Sequence, residues 1–571
     1  MSKKVEVDFK KYYKYDELTA VLGNLAKKYP KLTDLVSMGK SPQGRDFWVI
    51  KITNKGTGSA EDKPAFWIDG NTHASEVTGS ALCLYTIWYL LTNYGKDRFV
   101  TDLLDTRSIY VNPRIDVDGT ELYLTTPLNQ TGGARFYPYD EEEWSKKEGL
   151  YEDDVDADGH IVQMRIEDPL GDWKVSDEDP RLMAKRKAGE EGGVYYRIYP
   201  EGMMLNYDGG EIKMAPPKYG LNLNRNCPAN FLPHPQQSGA GPYPLSEPEQ
   251  RALADFLKAH PNVAGRVSYH TTGGMLFRPF STKTDRYFLE KGIKKDLDNY
   301  EFLGKICVET TAYPPVQSFQ EGESPRYGDS DDFYYEYFGI YDVCLELWDL
   351  AGRVGLGNYV ERGGAKFDWN EEKKGLVVLR WIDTETKGVG FIDWKSFNHP
   401  QLGPVEIGGI MKYVMNNPPP EFLEDECRKD FMFALKFASL LPLVRVSEVR
   451  VTPVGDKTSR VQATIENRGF FPTYVSELAV KSELAKPVRV EIELSEGVSL
   501  VGGRKWVEIP HLQGGSERIP GVRWYRAALP ERSRKTVEWL VKAEKPAIVK
   551  VKAISEKAGI HSREVKISKT P

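Results

Sequence analysis

Over residues 9–125, stretches of helical and of strand periodicity alternate. Tyr15 to Lys28 predicts a helix, closed by Pro30. Leu35 to Met38 and Phe47 to Thr53 predict strands on either side of the turn Ser41-Pro42-Gln43-Gly44-Arg45. Ala65 to Gly70 reads as a buried strand, Thr78 to Leu91 as a helix, and Ser108 to Val111 as another strand, ended by Asn112-Pro113. This alternation predicts an α/β domain. Residues 126–219 break the pattern with acidic clusters such as Asp140-Glu141-Glu142-Glu143 and many Gly and Pro. A structureless loop of that length does not fit a compact domain, so an insertion with its own hairpins is expected. The α/β pattern resumes from Gly220 to Leu350, a second insertion covers 351–417, and Pro420 to Leu441 reads as one long amphipathic helix.

The pattern then changes. Val444 to Thr452, Arg460 to Asn467, Val488 to Ser495, Thr536 to Val541 and Ala547 to Ala553 are short strand-like runs separated by turns. They predict an all-β, Ig-like antiparallel sandwich. The expected division is a main domain over 1–442, with insertions at about 126–219 and 351–417, and a β-sandwich over 443–571.

Composition narrows the function classes. A formal net charge of -6 on 571 residues leaves no nucleic-acid footprint. The five cysteines (83, 227, 307, 344 and 427) include no CxxC pair and form no disulfide framework, which fits a reducing compartment. Residues 1–12 are charged and lack the apolar core of a signal peptide, and the longest apolar run, Ala81 to Leu91, is too short to span a bilayer. The expected location is the cytoplasm, with no membrane partner.

The candidate chemistry starts at Asn71-Thr72-His73-Ala74-Ser75-Glu76, between the buried strand and the following helix. His73 and Glu76, three residues apart, can grip one metal ion from one side. Among only eight histidines, His270 is the best third ligand, because it also ends a strand-like run, Gly265 to Tyr269. Tyr341 to Trp348 is apolar apart from its leading Asp342 and its central Glu346. A carboxylate within a buried strand is costly unless paired or used, and beside a metal it is a natural general base. Asn224-Arg225, in Gly220 to Asn226, suits a carboxylate ligand through its fork of N–H donors.

These pieces resemble the zinc metallocarboxypeptidases of the carboxypeptidase A type, and they occur in that family's order. His73-Ala-Ser-Glu76 is similar to its His-x-x-Glu pair, and Asn112 to Gly119 to its segment ending Asn-Pro-Asp-Gly. Gly220 to Asn226 resembles its Asp-Leu-Asn-Arg-Asn motif, with Asn222 in place of Asp. Ser246-Glu247-Pro248-Glu249, Ser268-Tyr269-His270 and Gly339 to Leu347 complete the set, and the resemblance covers about 9–350 and the helix near 420–441. It implies an α/β/α sandwich around a mixed, mostly parallel twisted sheet. It also implies zinc on His73, Glu76 and His270, with Glu346 as base and Asn224 and Arg225 on the substrate's C-terminal carboxylate. The family's oxyanion Arg is assigned to Arg135, sixteen residues beyond Gly119, with Arg165 and Arg186 as weaker candidates across the insertion.

The chain departs from the family in several places. Ser75 stands where an Arg is common. The mobile active-site Tyr falls on Ser324 in the ungapped register, so Tyr327 is taken to serve. Asp331 falls on the position that sets pocket preference, and a carboxylate there favours Lys or Arg at the substrate C-terminus. Separately, Asp154, Asp156, Asp158 and Gly159 match the first half of a calcium loop, with Arg165 at the twelfth position and Glu167 or Asp168 as closing ligands. Two function classes follow. The first is a zinc carboxypeptidase on peptides or proteins with a free C-terminus. The second is a zinc-dependent amidase or deacylase on a non-standard amide, such as a cell-wall peptide or modified tail. The intact ligand set argues against a non-catalytic binding protein.

Overall fold

A computed structural model describes residues 7–317, 325–364, 367–455, 457–518 and 531–567. An eight-stranded sheet runs in the order Thr33–Lys40, Asp46–Ile52, Ser108–Asn112, Ala65–Gly70, Val263–Thr271, Tyr341–Leu347, Met275–Arg278, Pro315–Gln317. Four of its seven pairings are parallel and three antiparallel, so the sheet is mixed. Its central strands are parallel, and Ala65–Gly70 and Val263–Thr271 are buried along their whole length. That is why they read as continuous apolar runs rather than alternating ones.

Side-chain alternation assigns the two faces. Phe66 and Ile68 join a core with helices Tyr15–Lys28, Val77–Asn93, Lys294–Thr311 and Pro420–Ser439. Ala65 and Trp67 join a second core with helices Pro248–Ala259 and Ser330–Phe338. This is the α/β/α sandwich that the resemblance implies. The long helix begins at Pro420, whose fixed φ suits a first helical position. Its buried stripe Leu423, Cys427, Phe431, Ala434 and Ala438 has the helical repeat seen in the sequence.

The two insertions build one structure. Strands Gln163–Glu167, Tyr196–Pro200, Trp173–Val175 and Met183–Lys185 of the first join the hairpin Phe391–His399/Gly403–Ile410 of the second in one six-stranded sheet. Arg165 crosses that joint to Glu406 at 2.9 Å.

The C-terminal region consists of two four-stranded antiparallel sheets around a core of Val444, Val461, Ile492, Trp539, Val551 and neighbours. Strands Val498–Gly502, Trp506–Ile509 and Gly559–Ile567 join the five expected from sequence. The segment near 470–484 leaves this sandwich and enters the first core, where Phe471, Val475 and Leu478 are buried. Buried Asp296 accepts the backbone N–H groups of Glu477 (2.7 Å) and Leu478 (2.9 Å) and the hydroxyls of Tyr335 and Tyr341. Tyr341 opens the strand that carries Glu346, so the C-terminal region braces that strand from behind. Cutting the chain after Pro442 is therefore expected to lower the melting temperature by about 10 °C or more, or to prevent folding. An unchanged melting temperature for the shortened chain would show that the two parts are independent. No helix of the described residues is long and apolar enough to cross a membrane.

Candidate active site

Strand Ala65–Gly70 ends where Asn71 takes a left-handed φ of 58°, a conformation that Asn tolerates. Its amide donates to the carbonyls of His73 (3.0 Å) and Ala74 (3.3 Å), which folds the loop back. Helix Val77–Asn93 then starts with Glu76 as its N-cap residue, just before the first turn. This helix lies hard against the sheet: a Cβ at Gly79 would sit 2.8 Å from the Tyr269 carbonyl oxygen. That approach brings Glu76 beside His270, the residue after Tyr269. Asp118, in the Asn112 to Gly119 segment, has a structural role, holding Ser41 (2.8 Å), the N–H of Gln43 (3.0 Å) and Arg45 (2.7 Å).

His73 Nδ1 lies 2.8 Å from one Glu76 oxygen and His270 Nδ1 lies 2.9 Å from the other. The two Nδ1 atoms are 3.3 Å apart. Donor atoms of the three residues all fall within 4.8 Å of one another. Two imidazole nitrogens and a carboxylate, converging and largely buried, are a donor set suited to zinc with one position left for water or substrate. Burial by itself raises the Glu76 carboxyl, but the two imidazoles outweigh it and hold the group at about 2. Asn222 Oδ1 meets His73 Nε2 at 3.1 Å, which leaves the Nδ1 lone pair facing inward.

Glu346 stands opposite His270 in the parallel ladder. Its carboxylate lies within 4.8 Å of the His270 imidazole and the Cys344 thiol. A cavity of about 170 Å³ collects these groups: His73, His270, Asn224, Arg225, Asp331 and Glu346 all line it. Asn224 and Arg225 sit on a short 3-10 turn, Leu223–Arg225, and the Asn224 side-chain oxygen accepts the N–H of Ser330 at 3.0 Å. That bond ties the Asn224-Arg225 pair to the helix carrying Asp331. Arg225 Nη1 donates to the Asn224 carbonyl at 2.6 Å and lies 3.6 Å from Asp329.

Phe277, Arg326, Asp329 and Cys344 also line the cavity and were not expected from sequence. Cys344 had a readable signal, since it lies two residues from Glu346 on one strand face. Arg326 and Asp329 had none beyond their proximity to Asp331. Several expected residues do not line the cavity. Arg135 is half-exposed and its guanidinium is taken by Glu247. Arg165 is buried against Glu406, and Arg186 is held by the carbonyls of Glu190 and Pro169, because the insertion uses both within its own sheet. Tyr327 lies in a turn, its N–H on Gln237, and Ser324 lies outside the described residues.

At the candidate calcium loop, carboxylate oxygens of Asp154, Asp156 and Asp158 lie within 4.8 Å of one another. The expected closing ligand Asp168 is instead paired with Arg197, and Glu167 lies in a strand paired along its length. Buried Glu201 meets this loop, accepting the N–H groups of Val155 (2.9 Å) and Val162 (3.1 Å). Burial, reinforced by Asp156 and Asp154, pushes its carboxyl up to about 7.

Residues 18–354 match the family described as zinc carboxypeptidase, and residues 443–566 match a domain of unknown function, DUF8731. Carboxypeptidase D of Anas platyrhynchos is 36% identical over 115 residues, 20% of this chain and 8% of that protein. The chain thus spans a small fraction of the length of this relative. Carboxypeptidase A2 of Rattus norvegicus is 24% identical over 355 residues, 60% of this chain and 64% of that protein. Among solved structures, carboxypeptidase A from Helicoverpa armigera covers 76% of this chain and 75% of its own at 15% identity, with a TM-score of 0.43. The zinc carboxypeptidase match takes in more than half of the chain, including both imidazoles, Glu76, Asn224, Arg225 and Glu346, and by it the chain belongs to the zinc carboxypeptidase family.

Proposed function

We propose that this protein is a zinc-dependent carboxypeptidase that releases the C-terminal residue of peptides or proteins. The observation that carries this reading is a single cavity lined by both imidazoles, a carboxylate base and an Arg-Asn carboxylate clamp, with Glu76 converging on the two imidazoles beside it. His73, Glu76 and His270 would hold zinc, which when bound would supply a Lewis acid to acidify water and polarise a carbonyl. Glu346 takes the proton of the attacking water and passes it to the leaving amine. Arg225 pairs with the substrate's terminal carboxylate, and Asp329 holds the guanidinium in place until it arrives. Arg225 favours this reading over an amidase or deacylase, whose substrate needs no free carboxylate. The direct test is release of a C-terminal residue from a peptide, its loss on chelation and its return with zinc. Equal turnover of a peptide with an amidated C-terminus would instead favour the amidase.

Asp331 supports a preference for C-terminal Arg or Lys. It is buried on the cavity wall with one carboxylate oxygen unbonded. Burial, then the neighbouring Asp329, pushes its carboxyl well above the usual range, and a cationic side chain would restore its charge. Peptides ending in Arg are expected to be cleaved in preference to those ending in Phe. Asp331→Ala is expected to reduce that preference by about 2 kcal/mol, roughly 30-fold in kcat/KM. A wild-type preference for Phe would remove this assignment.

Calcium at Asp154, Asp156 and Asp158 is supported by their convergence alone, and an equal melting temperature in calcium and in chelator would dismiss it. A cytoplasmic location is supported by five cysteines that are all unpaired and buried.

A further inference from the structure

We propose that Glu426, on the helix Pro420–Ser439 and outside the substrate cavity, is a positioning residue for Glu346 and His270. This inference rests on the carboxypeptidase reading above. Glu346 and His270 face each other across the ladder, and the next pair in register is Thr271 with Leu347. Beyond Leu347 the chain turns through Trp348, whose φ of 59° is left-handed. For a bulky residue with a Cβ this conformation costs about 1–2 kcal/mol and persists only where its surroundings impose it.

Those surroundings are the packing of its buried indole against Trp381, Phe422 and Arg353, together with hydrogen bonds at its N–H, carbonyl and indole. The Trp348 N–H donates to Glu426 Oε1 at 2.8 Å. Its carbonyl accepts the Thr272 hydroxyl at 2.6 Å and the Gly273 N–H at 3.1 Å. Its indole N–H donates to the Val414 carbonyl at 2.8 Å. Thr272 is two residues past His270, and Trp348 is two residues past Glu346. One residue therefore ties the strand end bearing the third metal ligand to the strand end bearing the base, and its N–H is fixed by Glu426.

Glu426 is itself built in. It is 1% exposed, accepts the Tyr313 hydroxyl, and lies 3.3 Å from Lys429 and 3.6 Å from Arg353. A buried carboxylate accepting a backbone N–H makes a stronger bond than a neutral acceptor. Without it the Trp348 N–H has no partner where water does not reach, and the left-handed turn loses one of the bonds that hold it. A shift of about 1 Å at Glu346 is enough to cost about 100-fold in rate.

The test compares Glu426→Ala, Glu426→Asp and Glu426→Gln with the wild type in zinc-loaded full-length protein, using a peptide ending in Arg. Glu426→Ala is expected to lower kcat about 100-fold with KM nearly unchanged, because the Arg225 clamp belongs to other elements. Zinc loss to a chelator is expected to be about 10-fold faster. Glu426→Gln, which keeps an acceptor oxygen at the same reach, is expected to recover most of kcat. Glu426→Asp, one methylene shorter, is not. A cooperatively folded Glu426→Ala with wild-type kcat and zinc loss would overturn the proposal, as would a defect confined to KM. If Glu426→Ala does not fold, a Glu426→Asp protein matching wild-type kcat and zinc loss would overturn it. If the zinc-loaded wild type hydrolyses no peptide, the carboxypeptidase reading fails, and the zinc-loss rates alone decide the role of Glu426.

Discussion

Glu346→Gln is expected to lower kcat by about 1000-fold while leaving zinc content and KM near wild-type values. The amide is nearly isosteric, so strand Tyr341–Leu347 and its pairing with Val263–Thr271 are kept. The candidate donor set of His73, Glu76 and His270 keeps all three of its residues. What is lost is the capacity to accept a proton beside the donor set. Steady-state kinetics on a C-terminal Arg peptide, with metal content measured on the same sample, distinguishes this from loss of zinc. A variant with full activity and full zinc would sink the assignment of Glu346 as base.

Arg266→Met is expected to destabilise the protein by about 3–5 kcal/mol, as measured by chemical denaturation. Arg266 shares its strand with His270 and is 1% exposed. It bonds Asp69 at 2.8 Å on one side and Asp342 at 2.6 Å on the other, and Tyr334 lies 4.6 Å below its guanidinium. The two flanking carboxylates overcome the effect of burial and keep it charged. With methionine there, both carboxylates remain in the sheet's second face without a cation. Trp67 and Ser268 still donate to Asp69, but Asp342 loses its only charged partner among the described residues. Adding Asp69→Asn and Asp342→Asn to the methionine variant is expected to recover most of the loss, because the penalty lies in two buried carboxyls left without their cation, and burial pushes that of Asp342 up to about 8 even beside Arg266. A loss below about 1 kcal/mol in the single variant would show that water reaches the triad.

The sequence made the site's skeleton legible through cost. Glu346 is conspicuous because a carboxylate inside an apolar strand demands a reason. His73 and His270 are conspicuous because each stands at the end of an apolar run, where parallel strands present their functional residues. Asn224-Arg225 lies in a short motif without gaps. Arg135 was placed by counting through an insertion. The structure gives that stretch its own contacts and leaves the guanidinium on Glu247. The same counting led from Asp332 back to Ser324 and Tyr327, and Tyr327 is not among the residues that line the cavity.

Local pattern by itself determined the strands Ala65–Gly70 and Tyr341–Leu347, the helices Tyr15–Lys28 and Pro420–Ser439, and which residue types are held at strand ends. These features depend on periodicity and on residues close in sequence. Only the tertiary structure decided that the two insertions share one sheet and that residues 470–484 enter the first core. It alone placed Arg326 and Asp329 on the cavity wall and brought Glu426 under the peptide of Trp348. Each of these joins groups tens to hundreds of residues apart, and they meet because of packing between elements, which no local pattern encodes.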